Sequence, residues 1–259
     1  MSTQKKFALV ASAAVTVMLS GAASALTLYP DIPPISDDFV LGPTTPGKWG
    51  DPTPGSGATV TYSFMPGGLR VDNGQTSVAL SDFMPDGYKS EIVAAFDAWQ
   101  GIANITFHEV NDPGVDWLDA QALTTDIRIS GHVFGNSALA HGFFPPHNGF
   151  AAAGDIHFNS QSRWKIGFGG PGFDIFQVAA HEIGHAIGLD HEDDVIALMN
   201  PFYTQSFRGP QQDDIAGVQA IYGVRAISTV PLPPGLPLLG GAIILLGGLG
   251  RRRARSPVS

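Results

Sequence analysis

The 259-residue chain has no cysteine. Disulfides, thiolate metal sites and a cysteine nucleophile are excluded together, so any bound metal must be held by nitrogen and oxygen. Charge is scarce as well: Asp, Glu, Lys and Arg make up only 14% of the residues, too few for a coiled coil. Positive charge is the scarcer sign. Lys5 and Lys6 stand near the start, and Arg251, Arg252, Arg253 and Arg255 near the end. The stretch between keeps eight basic residues against all 23 acidic ones. Such a stretch offers no broad basic face, which excludes nucleic acid as a partner. No internal repeat is present. What the chain has in quantity is apolar residues, 44% of the total, with 32 Gly and 20 Pro. A largely disordered chain does not reach that apolar content.

Both ends read as addresses. Residues 1–25 run from Lys5-Lys6 through the apolar stretch Phe7–Leu19 to Gly21-Ala22-Ala23-Ser24-Ala25, the pattern of a secretory signal peptide cut after Ala25. A Pro/Gly-rich lead-in follows over 26–57, expected to be extended and to hold few core residues. At the other end, a linker over 225–235 ends in Val230-Pro231-Leu232-Pro233-Pro234-Gly235. Residues 236–250 then carry no charge, and the tail 251–259 holds four arginines. Counted from Leu232, the apolar segment approaches the roughly 20 residues that cross a bilayer, with the arginines on the cytoplasmic side. This end resembles the C-terminal sorting tails of the PEP-CTERM type, in the variant beginning VPLP. The resemblance implies a Gram-negative bacterium and a tail clipped in the membrane by a sorting protease. A retained single-span anchor is the alternative reading on hydropathy alone. Either way the middle of the chain is expected outside the cytoplasm, at the cell surface or beyond it.

A compact pattern covers 58–224. Ala58–Phe64 alternates and is β-branched or aromatic, which predicts a strand, as do Ile105–Val110, Asp126–Ser130 and Gly154–Phe158. Ile92, Phe96 and Trp99 share one face of a helix over 88–100, closed by Gly101. A second helix has Asp174 as N-cap, with Gln177 in capping-box position, and runs to Gly188. A third starts after Pro210, with Asp213 and Asp214 in its first turn, and stops at Gly223. Strands with one helix among them, then two helices, imply an α+β domain.

Residues 181–191 read His-Glu-Ile-Gly-His-Ala-Ile-Gly-Leu-Asp-His. His181 and His185 lie four apart, so on a helix both rings project from one face and can grip one cation. Gly188 can take a positive φ, break the helix and let the chain return His191 as a third nitrogen. Three neutral imidazoles with a fourth position open describe a catalytic zinc site, whereas calcium and magnesium prefer oxygen. Glu182 sits beside such an ion without ligating it, where a general base belongs.

H-E-x-x-H-x-x-G-x-x-H is the signature of the metzincin metallopeptidases, and the surrounding sequence resembles their matrixin branch. Ala197-Leu198-Met199-Asn200-Pro201 is similar to the Met-turn, which implies Met199 beneath the zinc ligands. Asp213–Gly223 resembles the last matrixin helix. The resemblance implies a twisted, mixed, mainly parallel sheet of about five strands with three helices, the zinc helix central. It also implies a zinc-dependent endopeptidase acting on protein or peptide, with Glu182 catalytic and the chain monomeric. His141 and His157 match segments that hold a second, structural zinc. His132 is the one histidine in reach to join them, and the loop before His141 is shortened and shows no matching Asp, so the fourth ligand stays open between a water and a distant carboxylate. Asp126 and Asp155 fall where the family places calcium-binding carboxylates. Gly149, Phe150, Ala151 and Ala152 are expected in an edge strand on which an extended peptide could pair. Two departures stand out. The chain carries no cysteine with which a family-type propeptide could block the zinc, so latency by that route is not expected, and Asn200 with the loop Phe202–Pro210 differs from the family, so its specificity does not carry over. The alternative reading is a non-catalytic surface or adhesion module that keeps a zinc-stabilised fold.

Overall fold

The computed structural model describes residues 47–134, 138–145, 151–192 and 196–225. The expected signal peptide, most of the lead-in, the linker after Arg225, the apolar segment and the basic tail lie outside those residues, as do Gly149 and Phe150. Among the described residues no helix is long and apolar enough to cross a membrane.

The elements follow in the order β1 (Ala58–Phe64), α1 (Tyr88–Ile102), β2 (Ile105–Glu109), β3 (Ile127–His132), β4 (Ala140–Gly142), β5 (Ile156–Asn159), β6 (Trp164–Lys165), β7 (Phe173–Asp174), α2 (Ile175–Ala186) and α3 (Gln212–Tyr222). β1 to β5 form one sheet in the order β2-β1-β3-β5-β4, parallel except for the antiparallel edge strand β4. This is the expected α+β architecture: a mixed, mainly parallel five-stranded sheet with three helices.

Strand periodicity divides the inner strands into two kinds of face. In β3, Ile127 and Ile129 join the main core, and in β5 Ile156 and Phe158 do the same. Their alternates, Arg128, Ser130 and His132 with His157 and Asn159, therefore project from the opposite side. They are buried there too, as a mainly parallel sheet requires of both its faces. On the core side α1 buries Ile92, Ala95, Phe96 and Trp99. Phe96 stacks on Tyr62 of β1 at 4.1 Å between ring centroids. Trp99 donates its indole N–H to the Ala180 carbonyl of α2 at 2.8 Å. α1 does not stop at Gly101 as expected. A helical glycine costs only about 1 kcal/mol, and Ile102 beyond it packs against the core.

All twelve residues of α2 are buried. Asp174 caps it, accepting the Gln177 N–H at 2.9 Å. The reciprocal half of the expected box does not form, because Gln177 Oε1 accepts the Gly209 N–H instead. At the other end Gly188 N–H donates to the His185 carbonyl and Leu189 N–H to that of Gly184, both at 2.9 Å, the paired bonds of a Schellman motif. Gly188 has φ +107°, and a Cβ there would fall 2.2 Å from the Gly47 carbonyl oxygen. The lead-in thus departs from expectation at its end. Trp49 is a core residue that donates its indole N–H to the Ala186 carbonyl at 2.7 Å.

Candidate metal centres

Two clusters of metal-ligating side chains occur among the described residues. One is His181, His185 and His191; the other is Asp72, His132, His141 and His157.

In the first, α2 aligns His181 and His185, and the turn at Gly188 brings His191 back. The ring centroids lie 4.7 Å apart for His181–His185, 5.3 Å for His181–His191 and 4.8 Å for His185–His191. His181 Nδ1 lies 2.7 Å from the Leu198 carbonyl and His185 Nδ1 2.8 Å from that of Leu189. A carbonyl only accepts, so both Nδ1 atoms carry the proton and both Nε2 atoms present lone pairs. Those two Nε2 atoms face each other at 3.1 Å, an arrangement that suits a shared cation. Burial pushes the His181 imidazole down to about 3 and the His185 imidazole well below its ordinary value, so both are neutral ligands at pH 7.

Glu182 is fully buried, and neither carboxylate oxygen has a well-formed hydrogen bond within the protein, although the Gly142 backbone N–H is near enough to act on the carboxylate. Burial raises its pKa well above the usual carboxylate range, opposed by the Gly142 backbone N–H. Gly142 belongs to the edge strand β4, which passes so close to α2 that a Cβ there would lie 2.8 Å from the Glu182 carbonyl oxygen. Met199 packs under α2, where a Cβ on Gly184 would meet its Sδ at 2.3 Å. The Met-turn is held from α3. Asp214 accepts the N–H groups of Leu198 at 2.7 Å, Met199 at 3.0 Å and Gln211 at 2.6 Å. Sequence reasoning gave Asp214 to the helix dipole; its larger role is to fix the carbonyl that orients His181. A shallow cleft beside His181 is lined by Gln177, Leu198, Phe202, Tyr203 and Thr204.

The second cluster sits on the sheet face away from the helices. His141 of β4 is the cross-strand partner of His157 of β5, and His132 ends β3. His141 Nε2 and His157 Nδ1 are 3.1 Å apart. Burial lowers the His157 imidazole to about 4. The carboxylate left open by the sequence is Asp72, about 60 residues ahead of His132. Burial acts to raise its pKa, but the His141 and His157 imidazoles outweigh that and hold it below the ordinary range. A turn triplet Asp72-Asn73-Gly74 carried no local hint of ligation.

Two further expectations concern residues outside both clusters. Asp126 and Asp155 join no metal-ligating cluster among the described residues. Asp126 Oδ2 accepts the N–H and the hydroxyl of Thr61, both at 2.8 Å, whereas Asp155 Oδ1 accepts the Arg128 N–H at 3.1 Å. The cation acting on the buried Asp155 is the Arg128 guanidinium, itself paired with Asp112 at 2.8 Å. Of the expected substrate strand, Gly149 and Phe150 lie outside the described residues, and Ala151 and Ala152 are not in a strand. Ala151–Gly154 is a turn, and Ala152 is buried against Trp117 and Phe143. The sheet edge beside α2 is β4.

Comparison with known proteins gives a consistent result. The matrixin family model matches residues 75–223. Interstitial collagenase from Oryctolagus cuniculus is 33% identical over 184 residues, covering 68% of this chain and 38% of that protein. Matrix metalloproteinase-16 from Homo sapiens is 39% identical over 163 residues, 58% of this chain and 26% of that protein. The chain thus spans well under half the length of these relatives.

Proposed function

This chain belongs to the matrixin family, and from that membership we propose that it is a zinc-dependent endopeptidase whose catalytic ion is held by His181, His185 and His191. The observation that carries the reading is the first centre itself: His181 and His185 Nε2 lone pairs turned toward each other, His191 beside them, and next to them a buried carboxylate with no well-formed hydrogen bond. The residues fit the metal, since three imidazoles suit zinc and leave a position open. Zinc in such a site supplies Lewis acidity, polarising a scissile carbonyl and lowering the pKa of water to about 7.

The chain's own residues do the remainder. The Leu198 and Leu189 carbonyls fix the His181 and His185 tautomers, as outer partners of metal-bound histidines do. Glu182 takes the proton from the attacking water and delivers it to the leaving amine. Burial alone would keep Glu182 protonated, and a divalent charge on the neighbouring ligands favours its ionised, basic form. An extended substrate is held along β4, the strand that borders α2, by strand addition. The cleft lined by Leu198, Phe202 and Tyr203 receives the side chain after the scissile bond. His132, His141 and His157 hold a second zinc that is structural. Residues 1–25 direct export, and the tail from Val230 attaches or releases the domain at the cell surface.

The test is cleavage of an unstructured protein such as casein by the purified chain. Activity should vanish with a chelator and return with zinc. Glu182→Gln should keep both metals and lower kcat by 10²–10⁴-fold, the range for losing a positioned general base. Zinc binding with no hydrolysis of any peptide would leave instead the zinc-stabilised surface module.

A further inference from the structure

The family match begins at residue 75, and Asp72 lies ahead of it. Asp72 nevertheless reaches the centre of the second cluster. Its Oδ1 is 2.8 Å from His132 Nε2 and 2.9 Å from His157 Nδ1, and its Oδ2 is 3.2 Å from His141 Nε2. All four side chains are buried. His132 Nδ1 faces the Val133 carbonyl at 3.2 Å and so carries the proton. His132 Nε2 then presents a lone pair to the carboxylate, and despite their separation His132 Nε2 and Asp72 Oδ1 form no hydrogen bond. Two buried acceptors pressed together in this way repel unless a cation lies between them.

We infer that Asp72 is the fourth ligand of the second centre, closing it as a three-nitrogen, one-oxygen zinc site, and that Asn73 is its positioning residue. A closed four-donor set of this kind is structural, with no position left for a reacting water. The turn Asp72–Gly74 sits at the tip of a small loop closed by the bridge between Arg70 and Thr76. Within it, Val71 N–H donates to the Gln75 carbonyl and Gln75 N–H to that of Asp72, both at 3.0 Å. Asn73 is the one non-glycine residue with positive φ among those described, at +52°. Asparagine tolerates that conformation better than most side chains, and here its Nδ2 donates to Asp72 Oδ2 at 3.0 Å. That bond occupies one lone pair of the oxygen and fixes the carboxylate plane, the service that outer partners give to ligands. The loop is tied to the sheet elsewhere by the bridge between Val78 and Gly131. The metal therefore fastens the loop ahead of α1 to β3, β4 and β5.

The inference rests on the reading of His132, His141 and His157 as a zinc site, and its test is separate from peptide cleavage. Zinc per chain is measured by mass spectrometry on the full chain after equilibration with buffered free zinc. Two are expected in the parent and one in Asp72→Ala; Asp72→Asn, closer in shape, covers the case in which the alanine variant does not fold. Asn73→Gly keeps the turn's conformation and removes only the donor, so second-site zinc affinity should fall 10–100-fold. A residue needed only for its backbone would leave that affinity unchanged. Two zincs at parent affinity in both Asp72 variants overturn the ligand assignment. One zinc in a parent that cleaves casein overturns this inference and leaves the proposed function standing. Two zincs with the expected Asp72 losses and no cleavage do the reverse.

Discussion

Single side chains at the first centre answer to two constraints that can be separated by pH and by substitution. Glu182 is charged only at a cost in the metal-free protein, because burial raises its folded pKa above the unfolded value. Between those two values the native state binds the extra proton, so the contribution of Glu182 to stability declines as pH rises through that window. Removing the charge should reverse this. Chelator-treated Glu182→Gln should be more stable than the chelator-treated parent at pH 8, and the gap should close as pH falls toward 4.5. Denaturant midpoints across that range check it, and a pH-independent gap would show that burial is not what perturbs the carboxyl. Gly188 is constrained by conformation and by space. Its φ of +107° strains any side chain, and a Cβ would strike the Gly47 carbonyl. Gly188→Ala should cost at least the roughly 1–3 kcal/mol of a strained backbone. It should also weaken zinc binding, because His191 is placed by that turn. Thermal unfolding and zinc titration of the variant report the two effects independently.

At the scale of elements, the zinc helix is held by groups far from it in sequence, and the sequence showed these unevenly. α1, α2, α3 and the longer strands were legible because each carries enough periodic apolar residues to announce its face. β4, β6 and β7, of two or three residues each, are too short to show a period. The edge strand is therefore expected over Gly149–Ala152, of which the described residues Ala151 and Ala152 lie in a turn that buries Ala152. His181, Glu182, His185 and His191 were legible because helical spacing and one glycine confine them to eleven residues. Asp72 and Asp214 were not, since their roles exist only once distant segments meet. Asp214 offers the sharper test at this scale. Its carboxylate accepts three backbone N–H groups and so ties α3 to the Met-turn and, through the Leu198 carbonyl, to His181. Asp214→Ala leaves those donors without their acceptor, at about 1–3 kcal/mol for each that stays buried and unpaired. We expect a loss of several kcal/mol in urea unfolding and a 10–100-fold weaker first-centre zinc affinity. Unchanged affinity in a folded Asp214→Ala protein would show that the Met-turn holds its shape without α3.

Across the whole molecule, the two faces of the sheet are stabilised by different means. On one face α1 and α2 bury a continuous apolar core that runs from Trp49 to Tyr222. On the other the apolar contribution is small: Trp117, Phe143 and Ala152 form a separate three-residue cluster. Around it are polar and charged groups, the Arg128–Asp112 pair and the four donors at Asp72, His132, His141 and His157. Burying an apolar side chain is worth about 1.5–3 kcal/mol, so the helix face can stand without metal. The far face cannot draw on the same source. If the second cluster holds the proposed ion, removing it leaves a buried carboxylate and three buried imidazoles to repel or to hydrate. Local opening should follow there before global unfolding, since regions with few buried apolar contacts open at lower free energy. Hydrogen exchange on the chelated protein should therefore accelerate first over the Asp72 loop and β4, while α1 and the β1–β2 pair keep near-parent protection. Uniform acceleration across both faces would instead mean that the ions stabilise the domain as one cooperative unit.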